Sequence, residues 1–132
     1  MTRRVHSLQL VWHAVGPAMA AVIILLTLSA ADSPLLVFSW WDKAMHFAGY
    51  AALGAWYVMV LAPTRYRQLW LLLVAMGIVL EGLQVFVPSR MTEGLDVLAN
   101  VLGASAGVAL GFTPWRHLLG HIERAILGRE TH

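Results

Sequence analysis

Long apolar stretches separated by short polar ones dominate the chain, each close to the about 20 helical residues that cross a bilayer core of about 30 Å. Such a stretch recurs four times, at approximately Val11 to Ala31, Lys43 to Ala62, Gln68 to Val87 and Leu95 to Pro114. The pattern predicts an all-α, integral membrane four-helix bundle that forms a single domain over residues 1–132. Gly16-Pro17 and Gly103 would weaken a soluble helix, but neighbouring helices satisfy the freed backbone groups in a membrane. Past Pro114, the residues Trp115, Leu118, Leu119, Ile122 and Ile126 recur at helical spacing opposite Arg116, Glu123 and Arg124. That spacing predicts a short C-terminal amphipathic helix over 115–128, lying on the cytoplasmic membrane surface against anionic lipid. His117 and His121, one turn apart on it, are read as solvated rather than metal-binding.

Composition supports the membrane reading, since 59% of the 132 residues are hydrophobic and 12% are charged. A soluble domain of that size carries about a quarter charged residues. The net charge of +2 and the absence of a Lys/Arg-rich run exclude a nucleic-acid surface. With no cysteine, disulfides and thiolate metal sites are excluded as well, and the redox compartment is left open.

The position of the cations sets the expected orientation, because Lys and Arg in short flanking loops stay on the cytoplasmic side. Arg3, Arg4, Arg65, Arg67, Arg116, Arg124 and Arg129 fall on one side, and only Lys43 and Arg90 on the other. This predicts a multipass protein of the cytoplasmic membrane with both termini inside. The loops at 32–42 and 88–94 then face outward with Asp32, Asp42, Arg90 and Glu93, and Trp40 and Trp41 fit an interfacial aromatic anchor. A cleavable signal peptide is the competing reading of the first stretch, which follows Arg3-Arg4 and ends in Ser29-Ala30-Ala31. The stretch is long for a signal, and retaining it gives an even number of spans.

Helical periodicity gathers the polar residues of the spans onto particular faces. His46, Gly49, Tyr50 and Leu53 share one face below Asp42 and Lys43, and Gly77, Glu81 and Gln84 share another. Glu81 falls roughly 9 Å inside its span at 1.5 Å per residue. An acidic group at mid-helix costs about 2.5–3.5 kcal/mol to insert, so Glu81 is expected to face protein or water rather than lipid. In the last span, Asp96, Asn100, Gly103, Gly107 and Gly111 form a single stripe, whose glycines permit close approach of a neighbouring helix. Taken singly, Asp42, Lys43, Arg90 and Asp96 read as interfacial charges or caps, and Gln84 and Asn100 as interhelical hydrogen-bonding groups. Their common depth at the outer ends of three helices argues instead for one polar cavity open to the outer leaflet.

These positions resemble the VanZ-like membrane proteins, a family named for a protein associated with resistance to the glycopeptide teicoplanin. Asp42-Lys43-x-x-His46-x-x-x-Tyr50-x-x-Leu53-Gly54 looks like the family's first motif and Glu81-x-x-Gln84-x-Phe86 like its second. Arg90 followed by Asp96-x-x-x-Asn100-x-x-Gly103-x-x-x-Gly107 looks like its third. The resemblance runs from Asp42 to Gly107 and implies a membrane location and a set of polar positions, without an activity. Resistance in one member does not carry to every bearer of the framework.

Two functions are consistent with the cluster. In the first, the site binds or processes a phosphate-bearing envelope lipid, with Arg90 and Lys43 holding the phosphate beside Asp42, Tyr50, Gln84 and Asn100. Glu81, Asp96 and His46 are then the candidate catalytic acids and bases. In the second, the protein is not an enzyme, and the cluster is a recognition or proton-linked structural element of an envelope protein. No cofactor is expected. A divalent metal on Asp42, His46, Glu81 and Asp96 is the lesser alternative, because these residues lack compact ligand spacing. Membrane lipids are the expected partners, and a homo-oligomer stays open, since a protein-lined path would need several chains.

Overall fold

A computed structural model describes residues 2–29, 40–87 and 94–128, and side chains within 9–29, 40–87 and 94–126. The described residues are helical throughout apart from short turns: α1 (Thr2–Leu28), α2 (Trp40–Val60), α3 (Tyr66–Gln84), α4 (Gly94–Ala109) and α5 (Leu118–Gly128). Among the described residues, three segments, Gln9–Leu28, Pro63–Gln84 and Gly94–Phe112, are long and apolar enough to cross a membrane. The protein is a helical membrane bundle, as the apolar pattern predicts. α2 is long enough at 21 residues but less apolar, because Asp42, Lys43 and His46 occupy its first turns. It buries those polar turns against α4 rather than facing lipid with them.

Helix boundaries depart from the expected ones for local reasons. α1 begins well before Val11 and carries Pro17 in its interior. α3 starts after a 3₁₀ turn at Pro63–Arg65, where the fixed φ of Pro63 suits a first helical position. α4 tightens into a 3₁₀ turn at Leu110–Phe112 and stops at the extended Thr113, since Pro114 has no N–H with which to continue it. The tail therefore opens with a 3₁₀ turn at Pro114–His117, and its α-helix begins only at Leu118.

Alternating direction along the chain makes α2 and α4 parallel neighbours. The register can be followed residue by residue: Lys43 meets Asp96, His46 meets Asn100, Phe47 faces Gly103 and Ala51 faces Gly107. A Cβ on Gly103 would collide with the Phe47 carbonyl oxygen, and one on Gly107 with the Ala51 carbonyl oxygen. Backbone thus packs on backbone along the glycine stripe. Lipid tails are as apolar as leucine, so such close van der Waals contact, rather than hydrophobic burial, holds membrane helices together.

α1 and α3 run the opposite way and cover this pair. Buried Tyr50, Leu53, Val58, Tyr66, Leu69, Leu73, Ala104 and Val108 form the core. The Tyr66 hydroxyl donates to the Val58 carbonyl at 2.8 Å, and Trp70 Nε1 donates to Ser105 Oγ at 2.9 Å. Large apolar side chains such as Leu25, Leu26, Leu72, Val79, Leu98 and Phe112 point outward. That outward-facing apolar surface is the lipid-facing pattern expected of spanning helices.

The tail does not merely lie beside the bundle. Trp115 Nε1 donates to the Ala55 carbonyl at 3.0 Å, Leu119 is buried, and Glu123 Oε1 accepts from Trp12 Nε1 at 2.8 Å. Leu118, Ile122 and Ile126 keep part of their surface exposed, so an amphipathic strip remains.

Candidate functional site

The parallel pairing of α2 and α4 brings two helix N-termini together. Asp42 and Asp96 each lie in the first turn of their helix, where the helix dipole favours negative charge. One and two turns further along α2 come His46 and Tyr50, and one turn further along α4 comes Asn100. Asp96, Asn100 and Tyr50 are all but inaccessible, and His46 is 9% exposed.

Direct contacts join these groups. Lys43 Nζ lies 3.4 Å from Asp96 Oδ1, and His46 Nε2 lies 3.9 Å from Asp42 Oδ2. His46 Nδ1 is 3.1 Å from Asn100 Oδ1, an oxygen that only accepts, so Nδ1 carries the hydrogen. The Asn100 side chain has room because Gly77 of α3 faces it; a Cβ there would come within 3.1 Å of the Asn100 Cβ. Sequence spacing had placed Gly77 on the Glu81 face, and the reason is this seat for Asn100.

Glu81 is buried on the same face of α3, with its carboxylate close enough to act electrostatically on the Tyr50 hydroxyl. That hydroxyl has no hydrogen-bond partner among the described residues. Gln84, one turn on, is turned toward α1 and donates from Nε2 to the Thr27 carbonyl at 3.1 Å. Its observed contact is therefore a tether between helices. Asp42, His46 and Asn100 form one chain of contacts and Lys43 with Asp96 another, the two lying within 4.8 Å of each other at Asp42, His46 and Asp96; Glu81 and Tyr50 adjoin them, and Arg90 and Glu93 lie outside the described residues. Gly103 and Gly107 do the packing expected of them, and Gly111 seats the Tyr66 ring at the far end of the stripe.

The site has an apolar annexe that the sequence did not reveal. A cavity of about 290 Å³ runs between α1 and α2, lined by Ile23, Leu26, Thr27, Trp41, Met45 and Gly49 as well as Asp42, His46 and Tyr50. Polar groups end it and aliphatic groups wall it. The contribution of α1 carried no signal, because that helix is apolar on every side from Ala14 to Leu26. A second cavity of about 500 Å³ lies at the opposite end of the bundle, among Gln9, Trp12, His13, Arg116, His117, His121, Glu123 and Arg124. His117 and His121 are exposed there, in keeping with their solvated reading.

The bundle and its cluster define a small helical membrane protein with a group of buried ionisable residues where α2 and α4 begin. The chain matches the VanZ/LLP1 family over residues 4–115 and belongs to that family. The match takes in α1 and the start of the tail in addition to the motif-bearing helices. No curated protein and no solved structure matches the chain.

Proposed function

We propose that the protein binds a phosphate-bearing lipid of the cell envelope, with the phosphate at the Lys43 end of the cluster and the hydrocarbon chain in the groove between α1 and α2. The observation that carries this reading is the amphiphilic cavity, which is aliphatic along Ile23, Leu26 and Met45 and polar at Asp42, His46 and Tyr50. Lys43 is a compact donor for phosphate oxygens, and Arg90 remains a sequence-based candidate for the same task. His46, Asp96 and Glu81 are the acids and bases for processing the bound lipid, should the site react.

Orientation belongs to the same proposal. Positive charge before the first span, between α2 and α3 and after α4 supports a topology with both termini in the cytoplasm and the cluster at the outer leaflet of the cytoplasmic membrane. A chain without native cysteine makes this easy to check. A cysteine in place of Trp40 should react with a membrane-impermeant maleimide in intact cells, and one in place of Thr64 only after permeabilisation.

The test of the ligand is retention of lipid by the purified protein. A polyprenyl phosphate added to chain in detergent should co-purify with the wild type, and Lys43→Ala should lose most of it. A bulky Gly49→Leu, which fills the groove without touching the charges, should lose it too. Equal retention by all three would overturn the reading. Phosphate release that disappears in Glu81→Gln would establish chemistry at the site.

The contact from His46 to Asn100 favours a second reading, a recognition or proton-linked element without catalysis. It predicts ligand-dependent stabilisation with no turnover, and a link to glycopeptide resistance would then rest on binding alone.

A further inference from the structure

Three electron-pair donors meet at the start of α2 and α4. One oxygen each of Asp42 and Asp96 and one ring nitrogen of His46 lie within 4.8 Å of one another. We propose that Asp42, His46 and Asp96 form a binding site for a divalent transition-metal ion.

The orientation of His46 is the first argument. With the hydrogen on Nδ1 directed at Asn100 Oδ1, a neutral ring presents a lone pair at Nε2, 3.9 Å from Asp42 Oδ2. That lone pair, directed toward the Asp42 carboxylate, is available to a cation placed between the two. An imidazole fixed through its other nitrogen by an amide or carbonyl oxygen is also how metal-ligating histidines are held. Asn100 is then the positioning residue.

Unsatisfied buried atoms supply the second argument. Asp96 is 2% exposed, yet its Oδ1 makes no hydrogen bond among the described residues; Lys43 Nζ approaches it no closer than 3.4 Å. The Tyr50 hydroxyl, equally buried and without a hydrogen-bond partner among the described residues, lines the adjoining cavity. Buried polar atoms in this state mark where an ion or ordered water binds. Both observations are independent of the ligand spacing.

The donor set selects the kind of ion. One imidazole with two carboxylates suits zinc or manganese, whereas magnesium prefers oxygen ligands and keeps its waters. With metal-to-ligand distances of about 2.0–2.2 Å, two ligands of a tetrahedral zinc stand about 3.3–3.6 Å apart. Donor atoms that lie within 4.8 Å of one another therefore need to close by about 1 Å, within the reach of side-chain rotations. Three protein ligands leave a coordination position open, which the phosphate of a lipid would fill. That last clause rests on the proposed lipid reading, whereas the ligand set does not.

Zinc and manganese titrations of the full, tag-free chain in detergent, after chelator treatment, test the site. Calorimetry should show one saturable site, with zinc bound more tightly than manganese. His46→Ala and Asp96→Asn should weaken zinc binding by about 100-fold or more. Asp42→Asn, at the partly exposed start of α2, should do the same while unfolding at the wild-type temperature. Lys43→Met should bind zinc at least as tightly as the wild type, because a competing cation is gone. Absence of saturable binding, wild-type affinity in Asp42→Asn, or loss of the site in His117→Ala/His121→Ala at the opposite end would each overturn the proposal. Lipid retention on the same samples separates the two proposals. Zinc binding without retained lipid leaves the metal site standing and removes the lipid, and retained lipid without zinc binding does the reverse.

Discussion

Replacing Gly103 by alanine puts a methyl group where the Phe47 carbonyl oxygen already is, and Gly107→Ala does the same at the Ala51 carbonyl. Neither obstacle is the end of a flexible side chain. Both are backbone of α2, so the helices have to separate to relieve the clash. Overpacking of a close-packed interior costs about 1–3 kcal/mol, and a backbone-to-backbone seat belongs at the upper end of that range. The same substitution at Gly82 or Gly120 meets nothing within 4 Å. There, alanine should stabilise its helix by about 0.5–1 kcal/mol, because glycine loses more backbone entropy on folding. The seam and control variants should therefore differ by about 1.5–4 kcal/mol in unfolding free energy. Denaturation by sodium dodecyl sulfate in mixed micelles, followed by tryptophan fluorescence, reads that difference. Separation of α2 and α4 would also pull Lys43 from Asp96 and His46 from Asn100, so zinc affinity should fall in the seam variants and hold in the controls. Seam variants that unfold at or above the detergent concentration of Gly82→Ala would refute the close parallel pairing.

Three further outcomes follow from single contacts. Asn100→Ala removes the acceptor that fixes His46 Nδ1 and leaves a buried donor unpaired, at a cost of about 1–3 kcal/mol; nitrogen NMR of the imidazole should show the Nδ1-protonated form of the wild type giving way to a mixture. Tyr66→Phe deletes the bond to the Val58 carbonyl without disturbing the ring, and should cost about 1 kcal/mol in the same micelle titration with no change at the cluster. Trp12→Phe removes the donor to Glu123 Oε1, so hydrogen exchange over residues 118–126 should quicken while α2 and α4 stay protected; unchanged exchange would show that Leu119 and Trp115 hold the tail unaided.

Periodicity in the sequence carries information about faces, and the faces of α2 and α4 were legible for that reason. Asp42, His46 and Tyr50, and likewise Asp96, Asn100, Gly103 and Gly107, keep intervals of three and four that helical geometry turns into stripes. Intervals do not encode register between helices. That Phe47 rather than a neighbour faces Gly103 is settled by backbone oxygens, which every residue type possesses. The face holding Gly77, Glu81 and Gln84 makes the same point, because its three residues meet three different partners: Asn100 on α4, the Tyr50 region on α2, and the Thr27 carbonyl on α1. A shared face thus predicted burial for all three without predicting a shared task. α1 is the extreme case. Apolar on every side from Ala14 to Leu26, it offers no stripe to read there, yet its Ile23, Leu26 and Thr27 wall the cavity that makes the cluster amphiphilic. Polar chemistry at this site was therefore legible from the residues that carry it, whereas the room beside it depends on how an unpatterned helix docks.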